Sequence, residues 1–434
     1  MNNYFINIEK FIYKKHIYNY PIELQDKVKY LLQNGKRLRP ILCLIFSNIN
    51  NNISNEINYN QLNSFSNSIK KNDDIIYTVA LCIELIHALS LVLDDLPEMD
   101  NDIIRRNKPS FHIKYGYEYT NFFIYYMFNN IALLLDNCMP TNINNNEYLV
   151  LLIHYFNDIK YLFQKFLNML IDGQYDDLEF NNNMSLETSL LQKTFVNKNN
   201  KNNKDNKNNN KIKNNENNDL FLKEKDIIIK LIVNNDSNTI TTLEKLNKIE
   251  ENIDLNLKKT SSLFTLSITL GYMLQLFNNK INYINKDEYE LIYNYLTLFG
   301  NILGYIFQIS DDLLDYEDDI GKNNPNICNI IDQLEVEKLV KNGCNWLYIN
   351  SINIKSLIEQ ININRDSIDN NNNNNSNSNS NNNNSNSNNS NSNSNSNSNS
   401  NSNSNNNKLS FNINAIYEII EKIENRIKNI DLHL

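Results

Sequence analysis

Apolar residues along this chain recur at helical rather than alternating spacing. The run 76–93 is apolar on nearly every face, broken only by Glu84, His87 and Ser90. It is too long for an ordinary strand and predicts a buried helix. The runs 148–171, 255–277 and 288–314 carry apolar residues at helical spacing and predict three more long helices. A helix also fits about 4–18, and an amphipathic one about 413–432. With Gly 8 and Pro 6, few strand-and-turn units can be built. The pattern predicts an all-α domain.

Two stretches interrupt it, at about 180–238 and 364–409. Residues 370–407 contain only Asn and Ser, and 197–219 are almost entirely Asn, Lys and acid. Neither can bury enough apolar surface to offset the entropy of ordering it, so both are expected to be disordered insertions. Setting both aside, with their polar fringes, leaves roughly 330 residues, which suits one domain spanning 1–434 better than two.

Charge narrows the function. Asp+Glu 50 against Lys+Arg 41 gives a net charge of −9, with no broad basic face, and argues against nucleic acid as a partner. The five cysteines (43, 82, 138, 328 and 344) lie far apart, which excludes a disulfide scaffold or zinc ribbon and suits a reducing compartment. No run of 18 uninterrupted apolar residues exists, so no membrane span is expected.

Three segments concentrate the scarce Gly and Pro and the clustered charges. Asn34-Gly35-Lys36-Arg37-Leu38-Arg39-Pro40 places three cations within four residues. It reads either as a solvated helix start or as a phosphate clamp, since Arg offers forked donors and Lys a point charge. Asp94-Asp95-Leu96-Pro97-Glu98-Met99-Asp100 closes the most apolar helix and is followed by Arg105-Arg106. Like charges there repel and cost desolvation, a conflict that a hard cation such as Mg²⁺ would remove. His87 lies two helical turns before Asp94 on the same face. It reads equally as a satisfied core histidine or as a site residue. In Phe307-Gln308-Ile309-Ser310-Asp311-Asp312-Leu313-Leu314-Asp315, Asp311 and Asp315 are i and i+4 on one face, with Gln308 and Gly304 one and two turns earlier. Asp-Asp pairs also occur at 73–74, 176–177 and 318–319, so one pair means little; the information lies in two acid clusters on apolar helices with basic clusters elsewhere.

At these residues the sequence resembles the trans-isoprenyl (polyprenyl) diphosphate synthases, most closely the short-chain farnesyl and geranylgeranyl enzymes. Gly35–Pro40 is similar to that family's GKRxRP segment. Asp94 through His112 reads DDLPEMDNDIIRRNKPSFH, similar to its first aspartate-rich motif and tail. Gly173-Gln174-Tyr175-Asp176-Asp177-Leu178 resembles GQxxDL, Lys259-Thr260 its Lys-Thr, Phe307–Asp315 its second aspartate-rich motif, and Gly321-Lys322 the pair after it.

The resemblance implies an isoprenoid-synthase-type helical bundle around a central cavity, usually homodimeric, and a head-to-tail condensation of isopentenyl diphosphate with an allylic diphosphate (dimethylallyl, geranyl or farnesyl). It implies three Mg²⁺ ions, held by Asp94, Asp95 and Asp100 on one side and by Asp311, Asp312 and Asp315 on the other. Arg105, Lys259, Thr260, Gln308 and Lys322 would serve the allylic diphosphate, with Thr260 and Gln308 offering oxygen dipoles to the developing cation. Lys36, Arg39, His87 and Arg106 would take isopentenyl diphosphate. Leu89 and Ser90 stand where the family sets chain length; a non-aromatic Leu89 implies geranylgeranyl diphosphate or longer.

The chain departs from the family pattern where Asn34 replaces a Gly, Leu93 a polar residue and Ser261 a Gly. Residues 121–126 lack the usual Gly-Asp. A non-catalytic regulatory subunit of a heteromeric synthase and a terpene cyclase are the alternatives. The retention of both acid clusters and a separate cation set favours the condensing enzyme. Because the first motif leaves room for only one preceding helix, a cytosolic location is the expectation, with a plastid-like organelle if the native start lies upstream.

Overall fold

The structure, a computed structural model, describes residues 1–49, 71–138, 146–182, 224–232, 243–278, 286–319, 326–379 and 408–428. The helices are α1 (Asn2–Phe11), α2 (Ile22–Leu32), α3 (Leu38–Phe46), α4 (Lys71–Asp94), α5 (Phe111–Tyr115), α6 (Tyr117–Asn137), α7 (Asn146–Asn182), α8 (Leu243–Asn256), α9 (Ser262–Asn278), α10 (Lys286–Leu314), α11 (Gln333–Asn379) and α12 (Ile413–Lys428). Lys322 and most of both low-complexity tracts lie outside the described residues.

Helix α9 is the axis of the bundle. Its residues 262–277 are buried on every face, and α3, α4, α7 and α10 pack around it. Helix α10 in turn packs on α11 and α12. The four long helices expected are present, one of them broken near its start. The apolar 76–93 run forms most of α4, whose Asp74–Asp94 part (mean hydropathy 2.1) is long and apolar enough to cross a bilayer. Most of its apolar window, 83%, is buried inside the bundle, as expected of a core helix.

The structure differs from the sequence expectation in several places: α1 ends at Phe11 rather than about 18, and α11 continues to Asn379, into the range expected as the second insertion. The all-α pattern is broken by one two-stranded antiparallel ladder, Ile104–Arg105 against Lys108–Pro109. Its turn residues Arg106 and Asn107 have φ 53° and 61°, the primed geometry that matches strand twist. The helix expected over 255–277 changes at Leu257–Ser261 into a π-helical turn before α9 begins. Within the range expected as the first insertion, residues 224–232 are helical and bury Ile228 and Ile232 in the core.

That 224–232 segment also buries Glu224, which is 1% exposed, with Oε2 lacking a hydrogen-bond partner. Burial pushes its carboxyl up to about 7 from 4.5, against the downward pull of Asn301 and Lys165. The folded value exceeds the unfolded one, so the stability this group contributes is full below about pH 4.5 and is lost as pH rises through about 7. Glu224→Gln is therefore expected to stabilise the protein by about 3 kcal/mol at pH 8 and by less than about 1 kcal/mol at pH 5, read by urea unfolding. Equal gains at both pH values would show that the carboxyl does not titrate on folding.

Candidate active site

The ends of α4, α7 and α10, the α2–α3 connection and the π-helical turn surround one cavity of about 480 Å³. Asp94, Asp100, Asp311 and Asp315 line it, as do Lys36, Arg39, His87, Arg105, Arg106 and Lys259. Ser90, Thr260, Gln174 and Gln308 add to its polar wall, with Asn34, Arg37 and Glu84, and leucines 38, 91, 170 and 263 with Phe307 form its apolar one. Both acid clusters and the cations therefore meet at one place, although they are scattered over 280 positions of sequence (36 to 315).

The first acid cluster forms where α4 ends. The chain turns at Leu96-Pro97, and the Asp100 amide donates to the Asp94 carbonyl (2.9 Å), bringing residues six apart together. Asn101 supplies the left-handed residue (φ 54°) that this turn needs. Asp94 accepts from Gln174 Nε2 (2.8 Å) and stands 3.5 Å from Lys259 Nζ. Asp95 faces away from the cavity, toward Arg105 Nε (2.7 Å), which also binds Asp102 through Nη2 (2.8 Å). Burial lifts the Asp95 carboxyl to about 6, and Arg105 opposes the shift.

The second cluster sits on the last turns of α10. Thr260 Oγ1 donates to Gln308 Oε1 (2.8 Å), and Gln308 Nε2 donates to Asp312 Oδ1 (2.9 Å). Asp312 Oδ2 accepts the Ile327 amide (3.1 Å). Asp312 thus orients Gln308 and holds the 326–328 turn, and it is absent from the cavity wall. The π-helical turn carrying Lys259 and Thr260 is wedged between two glycines. A Cβ at Gly173 would lie 2.6 Å from the Lys259 nitrogen, and one at Gly304 would lie 2.4 Å from the Ser261 Cα. Only glycine admits both helices that close, and the extra residue of a π turn turns Lys259 and Thr260 toward the cavity.

The cations line the same cavity, with Lys36 and Arg39 within electrostatic reach of Asp311. Arg39 Nη1 lies 3.2 Å from His87 Nε2. Arginine can only donate, so Nε2 accepts and the imidazole is neutral, in keeping with burial and Arg39 driving its pKa well below 6.5. Arg39 stacks over Phe264 at 4.7 Å, and its buried Nε has no hydrogen-bond partner. Lys36, Arg39 and Arg106 all have lowered pKa values, led by burial and reinforced by neighbouring cations: Arg426 and Arg106 on Lys36, Arg106 on Arg39, and Arg37 and Arg105 on Arg106. A multiply charged anion among them would relieve both effects. Asn34 has φ 62°, a conformation asparagine tolerates, so its presence in place of glycine leaves the loop intact.

Other residues take other parts. Arg37 is a structural cation, buried and bound to Glu9 (2.7 Å), Glu84 (2.8 Å) and the Leu32 carbonyl, and so is not part of a free clamp. Leu89 is fully buried outside the cavity wall, whereas Ser90 lines it. Sequence reasoning missed Arg426, on α12, whose Nη1 pairs with Asp311 Oδ1. The available signal was a lone arginine beside the apolar stripe Ile416, Ile419, Ile423, Ile427.

The donor set fits Mg²⁺ in a particular sense. All the facing acids are carboxylates, the hard oxygen ligands this ion takes. Among the described residues no group of three metal-ligating side chains stands together, so there is no preformed all-protein cage. Mg²⁺ typically uses one or two carboxylates and completes its shell with water and substrate phosphate, which is what split clusters across a cavity allow.

Known proteins resemble the chain in sequence and in fold. The polyprenyl synthetase family profile matches residues 22–199, a span that holds the cation patch and the first acid cluster. Geranylgeranyl pyrophosphate synthase 10, mitochondrial, of Arabidopsis thaliana is 35% identical over 96 residues, 22% of this chain and 22% of that protein. The chloroplastic geranylgeranyl pyrophosphate synthase of Capsicum annuum is 35% identical over 112 residues, 26% and 25% of the two chains. The chain thus spans about a quarter of the length of the curated relatives it matches. In fold it is similar to the geranyltransferase structure from Helicobacter pylori, with TM-score 0.51 at 17% identity over 83% of this chain and 97% of that one. The geranyltransferase from Legionella pneumophila gives 0.50 at 16% identity over 82% and 90%. Over residues 22–199 the chain is thus similar to the polyprenyl synthetase family.

Proposed function

We propose that this protein is a Mg²⁺-dependent prenyltransferase that condenses isopentenyl diphosphate head to tail with an allylic diphosphate. One observation carries the reading. A single cavity holds two acid clusters and, with them, a cation patch able to take a second diphosphate. A terpene cyclase has no use for the second anion site.

Asp94 and Asp100 hold metal on one side, with Asp95 positioning Arg105, and Asp311 and Asp315 hold it on the other. Three ions is the family expectation. When bound, Mg²⁺ neutralises the leaving diphosphate as a Lewis acid. Lys259 and Arg105 bind that diphosphate, with Lys322 as a further candidate from sequence. Thr260 donates its proton to Gln308, so its hydroxyl oxygen stays directed at the allylic centre without attacking it, and Asp312 fixes the Gln308 amide through its other end. Lys36, Arg39, Arg106 and His87 orient isopentenyl diphosphate; the Arg39 Nε that lacks a partner would gain one.

The reading extends to product and assembly. Relatives are named geranylgeranyl and geranylfarnesyl synthases, in support of a product of geranylgeranyl length or longer. Ser90→Phe is expected to shorten the longest product by at least one isoprene unit, and Leu89→Tyr by less because Leu89 lies outside the wall. Product sizing checks both, and unchanged sizes would remove these positions from length control. Exposed Phe122 (75%) and Tyr125 (73%) on α6 support a homodimer, since apolar rings seek cover. Relatives carry chloroplastic or mitochondrial in their names, which supports an organellar location over the cytosolic alternative.

The test is incubation with Mg²⁺, labelled isopentenyl diphosphate and, in turn, dimethylallyl, geranyl and farnesyl diphosphates, with an Asp94→Ala/Asp311→Ala double variant as blank. A metal-dependent prenyl diphosphate absent from the blank is the expected result. A folded protein that makes none from any primer would favour a regulatory subunit.

A further inference from the structure

We propose that Arg426 is the resident counter-cation of the second acid cluster, occupying Asp311 until metal and diphosphate displace it. The inference rests on the prenyl synthase reading of the cavity and adds to it a residue from a part of the chain no motif reaches.

The position of Arg426 is imposed by its helix. Helix α12 buries Ile416, Ile419, Ile420, Ile423 and Ile427 against the bundle. Its approach is pinned by a two-way clasp, Asn362 Nδ2 to the Leu409 carbonyl (2.7 Å) and the Leu409 amide to Asn362 Oδ1 (2.9 Å). Nearer its start, Glu418 binds the Met1 ammonium at 2.7 Å. A helix held this way delivers its last turn to one place. There the Arg426 guanidinium lies 4.6 Å from the centre of the Phe307 ring, a cavity wall, and bonds Asp311 Oδ1.

The contact has a consequence for binding. Arginine stays charged at any accessible pH, so its hold on Asp311 is a competition between cations for one carboxylate. A metal ion entering at Asp311 must displace the guanidinium. The charge of Arg426 also lowers the pKa of Lys36, a residue of the cavity wall. Once released, Arg426 joins a wall of cations facing the anion that arrives with the metal. Metal alone therefore meets a resident competitor, whereas metal with diphosphate supplies the displaced guanidinium with a new partner.

The test measures Mn²⁺ binding to the full chain by the electron paramagnetic resonance of free Mn²⁺, with and without inorganic pyrophosphate. Without pyrophosphate, Arg426→Gln is expected to lower the Mn²⁺ Kd roughly 5- to 10-fold, because the competent state is no longer occupied by the ion pair. Arg426→Lys, which keeps the charge but loses the planar fork, should give an intermediate value. In an Asp311→Asn background Arg426→Gln should change nothing. With pyrophosphate present, the advantage of Arg426→Gln should shrink or reverse. Equal Kd values for wild type and Arg426→Gln, or the same shift in the Asp311→Asn background, would overturn the inference while leaving the metal site standing. No Mn²⁺ uptake by wild type, with or without pyrophosphate, would overturn the metal-dependent reading itself. Circular dichroism melts show that each variant is folded, and Arg426→Lys carries the test if Arg426→Gln is not.

Discussion

Replacing Asp94 with asparagine is expected to lower kcat for the condensation about a thousandfold, roughly 4 kcal/mol of lost transition-state stabilisation. Asparagine keeps the shape of the side chain, and its amide oxygen can still accept from Gln174, which now bonds Asp94 at 2.8 Å. What disappears is the charge that faces Lys259 at 3.5 Å and would face metal. The thermal midpoint should therefore hardly move. Titrating Mg²⁺ should show the apparent metal requirement rising as kcat falls. Steady-state kinetics at saturating primer, with a melting curve alongside, check both parts. A loss of less than tenfold would take Asp94 out of the chemistry, and a collapsed melting curve would make it a structural residue instead.

The largest effect on stability is expected at Arg37. Its guanidinium is 2% exposed and binds Glu9, Glu84 and a backbone carbonyl, and Glu84 itself is 1% exposed. Arg37→Met keeps much of the stem and leaves Glu84 as a buried carboxylate without its cation. Breaking such a pair from one side costs about 3–5 kcal/mol, which for a domain of this size is a drop of about 4–7 °C in Tm. The double variant Arg37→Met/Glu84→Met should recover a substantial part of the loss, because the uncompensated charge goes too. Differential scanning calorimetry of the three variants checks this. A double variant no better than Arg37→Met would place the cost in the Glu9 and carbonyl contacts instead.

Arg37 also shows what the sequence withholds. Lys36, Arg37 and Arg39 look alike in a row of cations, and the difference between them is set by Glu9 and Glu84, 28 and 47 positions away. The helices are legible because period and length report a burial that each segment achieves largely by itself. That holds for the buried run of α4 and for the clusters at the ends of α4 and α10. The Arg105–Arg106 hairpin escapes the same reading, since strands of two residues leave no alternation to detect. The π turn at Leu257–Ser261 escapes it because the apolar pattern runs through it; its cause is the close approach of Gly173 and Gly304, which are remote in sequence. Asp312 reads like its neighbour Asp311, yet one serves the 326–328 turn and the other faces Arg426. Arg426 lies beyond every motif, so its part in the cavity depends on where the bundle returns α12.

The Asn362–Leu409 clasp bears on how this gene can change over time. It joins two points 47 residues apart, at the edges of a tract in which only Asn and Ser are used. The entropic cost of closing a segment rises slowly with its length, by only about 0.6 kcal/mol for each doubling. The clasp therefore separates the fate of the repeat from that of the catalyst. Alleles with longer or shorter Asn/Ser runs would still bring α12, and Arg426 with it, to the same place.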